Sequence, residues 1–226
     1  FKSFGVYKKD KILFYGSFLS LLLIIIAGWI GGQIATNIDG ENIIFQHTVS
    51  IHLYIAILTT ISLVYTTNRG FLNMYPNIEK DYSYSSFSKQ LLIAIFFLNL
   101  FLVFTGSYIR TFIDDNLLKE LYYFIRMEKY VTETGLVKYM HPVFGFTMLA
   151  CSAILWNHNL NQSNPSNIVL MLTKLILYSI CAQIIIGECL RFGMIHESFR
   201  LYHLFLSSVI IGLIIIAYER IKLAND

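Results

Sequence analysis

The chain has 226 residues, of which 56% are hydrophobic and 14% charged, and its mean hydropathy is +0.60. A soluble domain carries about 25% charged residues, so this composition cannot supply a water-soluble surface. The net charge of +3 is small and comes mostly from four lysines at the N-terminus. A soluble enzyme and a nucleic-acid-binding protein are therefore excluded, and we expect an integral membrane protein.

Long uncharged runs predict an all-α, polytopic membrane bundle with six transmembrane helices. Each run reaches or exceeds the roughly 18–20 residues that cross the hydrocarbon core as a helix. The predicted helices span roughly 12–32, 43–67, 90–111, 139–157, 168–190 and 199–219. A polar cluster from Asn157 to Pro165 separates the fourth helix from the fifth, because Asn and Pro favour turns.

These helices are grouped into three parts along the chain: an N-terminal hairpin over 1–67, an inner-side loop over 68–89 and a four-helix bundle over 90–226. The bundle includes a long outer loop, 111–138, which has room for a surface helix around Leu117–Met127. The predicted architecture is thus a four-helix bundle with one extra hairpin.

Loop charges predict the orientation in the membrane. The N-terminal segment and the 68–89 loop are rich in lysine and arginine, whereas the first loop on the opposite side has Asp39 and Glu41 and no basic residue. By the positive-inside rule, both termini lie on the inner side.

Three cysteines, Cys151, Cys181 and Cys189, lie in or beside apolar segments. The sequence has no CxxC or CxxCH spacing, which argues against a zinc site, an iron–sulfur cluster and a covalently attached haem.

Three histidines lie at matching depth in the even-numbered helices. His47, His141 and His203 each fall three to five residues from the outer end of a predicted helix. Ionisable residues inside a membrane are costly and often functional, and imidazoles on two facing helices hold haem iron axially. We therefore predict His141 and His203 as ligands of a b-type haem, although a lone histidine in an apolar helix is more often a structural hydrogen-bonding residue.

The second helix carries two histidines, His47 and His52. Five residues correspond to about 140° around a helix, so the two side chains cannot share a face. We predict that one faces a cofactor or substrate and the other a neighbouring helix, and depth favours His47 for the site.

A repeated spacing links glycines near the ends of the odd helices to these histidines. Gly31 precedes His47 by sixteen residues, and Gly187 precedes His203 by the same number. In the middle hairpin the corresponding residues are Gly106 and His141, with the long outer loop between them. The spacing predicts repeated hairpins in which glycine permits close packing of helices or of a flat macrocycle.

Three arginines, Arg110, Arg191 and Arg200, belong to the same outer side as the histidines. Guanidinium groups pair bidentately with carboxylates, which would suit outward-facing haem propionates. The same residues would serve equally as anchors for lipid headgroups, and the sequence leaves both interpretations open.

Two motifs resemble the haem A synthase family. Gln183-Ile184-Ile185-Ile186-Gly187 followed by the helix that contains His203 matches the family's late helices, and Thr105-Gly106-Ser107 before a long outer loop matches its middle. The family has eight transmembrane helices in two similar halves, and this chain resembles the last six. The outer loop lacks the family's Gly-rich stretch, and Pro142 follows His141 where Arg is more usual.

The resemblance implies a haem b between His141 and His203 and oxidation of a methyl group of haem O near His47. It also implies a bacterial cytoplasmic membrane or a mitochondrial inner membrane. The alternative is a non-enzymatic cytochrome b subunit that transfers electrons beside other membrane subunits of a respiratory or photosynthetic complex. A transporter is less favoured, because Glu188 is the only acidic candidate in the spans and lies near a membrane edge.

Overall fold

The computed structural model describes residues 10–36, 43–75, 82–119, 133–191 and 197–225. Its described part is all-helical, and six helices are long and apolar enough to cross a membrane. In chain order they are α1 (Lys11–Thr36), α2 (Ile43–Met74), α3 (Ser86–Lys119), α4 (Val137–Leu160), α5 (Asn167–Arg191) and α6 (Glu197–Asn225). The predicted polytopic helical bundle is confirmed.

The helices are longer than the sequence predicted. α2 continues to Met74 instead of ending at 67, and α3 runs over Ser86–Lys119 instead of 90–111. The predicted loops 68–89 and 111–138 are therefore partly helical. The prediction stopped at the first charged residue, whereas a helix continues through the polar interface because its backbone hydrogen bonds do not depend on hydropathy. Most of the surface helix predicted around Leu117–Met127 lies outside the described residues.

The chain divides into two compact units, Phe1–Ile78 and Glu79–Asp226. The first contains α1 and α2 and is called the hairpin unit below. The second contains α3 to α6 and is called the bundle unit. The division falls inside the predicted inner-side loop.

Small polar residues join the two helices of the hairpin unit. Ser20 Oγ and Ser62 Oγ lie 2.7 Å apart, and Ser62 Oγ also donates to the carbonyl of Gly16 at 3.2 Å. A Cβ added at Gly16 would collide with the Thr66 side chain. Small residues that bring two backbones together are the usual means of helix association in lipid, where burial of apolar surface gives no driving force.

Asp10 links the beginning of α1 to α2 in the hairpin unit. Its Oδ1 accepts the backbone N–H of Leu13 at 3.1 Å and so caps α1. Its Oδ2 accepts from Arg69 Nε at 2.7 Å and from Asn73 Nδ2 at 2.8 Å, which ties the cap to α2. The Arg69 guanidinium holds the pKa of the Asp10 carboxyl well below its usual value.

We expect Asp10→Ala to destabilise the hairpin by about 1 kcal/mol, the usual cost of losing a side-chain cap. Asp10→Asn retains a cap acceptor and loses only a partly exposed ion pair, worth at most about 1 kcal/mol, so we expect a smaller effect. The measurement is thermal unfolding of the protein in detergent.

The stabilisation by Asp10 is also expected to depend on pH. Because the folded pKa is lowered, the contribution is complete above the unfolded pKa of about 3.9 and is lost as the pH falls below it toward the folded value. Equal unfolding midpoints for the wild type and Asp10→Ala at neutral pH would contradict the capping role.

The bundle unit is a closed ring of four helices. α3 contacts α4, α4 contacts α5, α5 contacts α6, and α6 closes the ring against α3. Consecutive spans run in opposite directions, so α4 and α6 are parallel and lie diagonally across the bundle. Its centre is filled by large aliphatic side chains that are almost completely buried: Leu92, Ile95, Met148, Leu155, Ile176, Ile180 and Ile210.

Candidate functional site

Two histidines from the diagonal helices of the bundle unit come together near the end at which α4 and α6 begin. His141 lies in the second turn of α4, and His203 lies in the second turn of α6. Their ring centroids are 6.5 Å apart, and the ring planes are inclined by 43°. The two residues singled out by depth in the sequence are therefore neighbours across the bundle.

Each of these rings rests on a glycine of the preceding helix. A Cβ added at Gly106 of α3 would lie 3.2 Å from Cε1 of His141, and one added at Gly187 of α5 would lie 3.2 Å from Cε1 of His203. We call each such pair a glycine seat. The missing side chain lets the imidazole lie directly against the backbone of the neighbouring helix.

A hydroxyl group orients the ring of His141. Thr105 Oγ1 lies 2.8 Å from Nδ1 of His141, and it lies 3.1 Å and 3.2 Å from the backbone carbonyl oxygens of Phe101 and Leu102 on its own helix. When the hydroxyl proton is directed to one of these carbonyls, the hydroxyl oxygen accepts from His141 Nδ1–H, and the lone pair of that ring is on Nε2.

A backbone carbonyl orients the ring of His203. Nδ1 of His203 lies 3.1 Å from the carbonyl oxygen of Gln183, which can only accept. Nδ1 therefore carries the proton, and Nε2 of the neutral ring again has the lone pair. A histidine whose Nδ1–H is bonded to a carbonyl is the usual form of a metal-ligating histidine.

The separation of the two rings matches ligation of one metal from opposite sides. An imidazole nitrogen lies about 2 Å from the metal and about 1 Å from its ring centroid, so two rings on one metal have centroids roughly 6 Å apart. A direct N–H···N hydrogen bond between the rings would bring the centroids to about 5 Å. The observed 6.5 Å fits the first arrangement better.

Two imidazoles are fewer ligands than a bare metal ion usually takes. A bare ion held by protein usually needs three or four side-chain ligands. Within the described ranges, no group of three or more His, Cys, Asp or Glu side chains could hold a metal ion. Two axial imidazoles suffice for haem, because the porphyrin supplies the other four nitrogens.

The hairpin unit contains a third glycine seat, and its histidine is His52. A Cβ added at Gly31 would lie 3.2 Å from Cε1 of His52. The sixteen-residue spacing relates Gly31 to His47, whereas the contact described for Gly31 is with His52. The side chain of His47 lies outside the described residues, so its role as a ligand stays a prediction.

His52 differs from the other two seated histidines in its hydrogen bonding. Its Nδ1 is buried and has no hydrogen-bond partner in the part of the chain that the structure describes. The residue before Gly31 is Ile30, whereas the residue before Gly106 is Thr105, so the hairpin unit lacks the hydroxyl that orients His141.

The three arginines differ in what the structure describes. Arg110 is exposed and lies one turn beyond Gly106 on α3, and Arg200 is half-buried and lies just before His203 on α6. The side chain of Arg191, at the end of α5, lies outside the described residues. A role of these arginines with haem propionates stays a prediction.

Sequence reasoning missed the residues that orient the rings. Thr105 and Gln183 entered the sequence analysis only as parts of two motifs, without a contact to a histidine. The available signal was their helical position, since Thr105 adjoins Gly106 and Gln183 lies one turn before Gly187. Residues four apart share a helix face, so Gln183 and Gly187 lie on the face of α5 that contacts His203.

Comparison of the chain with protein-family models, with curated proteins and with solved structures finds no match in any of the three. The resemblance to haem A synthases therefore stays a prediction from short motifs.

Proposed function

We propose that this integral membrane protein binds a b-type haem between His141 and His203 and transfers electrons through it. The observation that carries the proposal is the pair of imidazoles whose centroids lie 6.5 Å apart. Nδ1 of His141 lies 2.8 Å from Thr105 Oγ1 and Nδ1 of His203 lies 3.1 Å from the carbonyl oxygen of Gln183, an arrangement that would leave both Nε2 atoms for iron.

The bundle would contribute binding and orientation. His141 and His203 would be the axial ligands, and Gly106 and Gly187 would hold the two rings against α3 and α5. The haem supplies one-electron redox chemistry when it is bound. Two histidine ligands would leave no open position on the iron for a substrate or oxygen, which favours electron transfer over oxidation of a substrate at this site.

The oxidation of a haem O methyl group is the second candidate function. It is supported by the third glycine seat, formed by Gly31 and His52 in the hairpin unit, because such an enzyme needs a second haem pocket. In this proposal haem O would be the substrate, held near His47 or His52, and molecular oxygen would be the oxidant. Membrane lipids, and in the first proposal other membrane subunits, would be the remaining partners.

An absorption spectrum of the purified protein tests haem binding. We expect a reduced b-type spectrum and a b-type pyridine haemochrome. The haem should be extractable from the protein, because the sequence has no CxxCH motif for covalent attachment. A protein that remains colourless after reconstitution with haem would contradict both proposals.

Aerobic incubation with haem O separates the two candidates. Conversion of its methyl group, detected in the extracted haem, would favour the oxidase. Unchanged haem O beside a reducible haem b would favour the electron carrier.

A further inference from the structure

Three buried polar residues form a cluster one helical turn beyond His203 along α6. Gln183 Nε2 donates to Ser207 Oγ at 2.6 Å, and Asn99 Nδ2 donates to the backbone carbonyl of Ser207 at 3.1 Å. Asn99 is completely buried, Ser207 is 4% exposed and Gln183 is 6% exposed. These residues are called the Ser207 cluster, and they join α3, α5 and α6.

The Ser207 cluster is connected to His203 at two points. Ser207 follows His203 by one helical turn, so both lie on the same face of α6. Gln183 contacts this face twice, since its backbone carbonyl accepts from His203 Nδ1–H and its side chain donates to Ser207. These two contacts of Gln183 restrict both the rotation of α6 about its axis and its position along that axis relative to α5.

Stability alone does not account for the Ser207 cluster. The amide oxygens of Asn99 and Gln183 are buried and have no hydrogen-bond partner among the described residues. A buried acceptor without a donor costs free energy, and apolar side chains of similar size would avoid that cost. The cluster therefore fits a positioning role better than a purely structural one.

We propose that the Ser207 cluster is a positioning device for His203, which keeps the imidazole Nδ1–H on the carbonyl of Gln183. A firm hydrogen bond at Nδ1 raises the basicity of Nε2 and strengthens it as a ligand. As far as it concerns iron, this inference rests on the proposed function.

Ser207→Ala tests the inference, with Ser152→Ala as its matched control. Ser152 is also buried in the bundle unit, but its hydroxyl donates at 2.8 Å only to the carbonyl of Leu149 on its own helix. Ser207→Thr keeps the hydroxyl and serves as the rescue variant. The first readout is the ¹⁵N signal of His203 Nδ1–H in detergent, assigned by its loss in His203→Gln. The second is the midpoint potential of the haem.

We expect Ser207→Ala to move the His203 Nδ1 signal toward that of a weaker hydrogen bond, and Ser207→Thr to restore it. Weaker donation to iron destabilises the ferric form, so the ferric–ferrous equilibrium shifts toward ferrous by up to about tenfold, or about 59 mV for one electron. We expect Ser152→Ala to leave both readouts unchanged.

The outcomes separate the two proposals. A His203 signal that is identical in the wild type, Ser207→Ala and Ser152→Ala overturns the positioning role, whether or not haem is bound. A signal that moves only in Ser207→Ala, in a protein that never binds haem, supports positioning and overturns the proposed function. An unchanged midpoint potential in haem-loaded Ser207→Ala overturns the inference for iron.

Discussion

Replacing either His141 or His203 by alanine is expected to abolish stable haem binding. Loss of a partner that only orients a metal ligand already lowers affinity by about 10–100-fold, and loss of the ligand itself should exceed this. Each remaining imidazole would keep its glycine seat and its Nδ1 partner, so the helices should still assemble. The measurement is haem content after purification and the dissociation constant after titration with haem.

The matched control for this experiment is His158→Ala. His158 lies on α4 like His141 but at the opposite end, where its ring contacts Gln162 and the edge of Phe87. We expect this variant to retain haem. Equal haem content in His141→Ala, His203→Ala and the wild type would contradict axial ligation by this pair.

Gly187→Ala is expected to weaken haem binding by about tenfold. The added Cβ would lie 3.2 Å from Cε1 of His203, so the ring must shift by a few tenths of an ångström. Metal sites tolerate only about 0.5 Å of displacement. The helix itself should tolerate alanine, which is favoured over glycine inside a helix by about 1 kcal/mol. The measurement is the dissociation constant for haem, with thermal unfolding of the haem-free protein as the check that the variant folds.

Gly106→Ala should behave in the same way through His141, because the corresponding distance is also 3.2 Å. Gly145→Ala on α4 is the control, since a Cβ there would meet nothing within 4 Å. We expect Gly145→Ala to leave haem affinity unchanged. If all three variants bind haem as the wild type does, the glycine seats have no part in ligand placement.

The sequence predicted the helices well because charge is scarce and each uncharged run is long enough to span a membrane. It did not predict where the helices end. Arg69, for example, lies inside α2 and forms an ion pair with Asp10, the residue just before α1. That contact joins residues that are far apart in the sequence, and hydropathy carries no information about it.

At the candidate site, too, the sequence predicted positions along the helices and did not predict the contacts between them. Matching depth on the parallel helices α4 and α6 was enough to predict that His141 and His203 lie close together, because position along a helix translates directly into position across the membrane. Depth also favoured His47 over His52, and the sixteen-residue spacing agreed with it. The glycine–histidine contact occurs at two different spacings, since His52 follows Gly31 by 21 residues whereas His203 follows Gly187 by sixteen.

The glycine seats have a consequence for the kinetics of the proposed electron transfer. Each ring in the bundle unit is held by a backbone surface at Cε1 and by a hydrogen bond at Nδ1, so it cannot turn or withdraw without moving a whole helix. A change of charge on iron would then meet ligands that are already in place, and preorganised groups require little rearrangement. The architecture thus favours a low reorganisation energy and fast electron exchange.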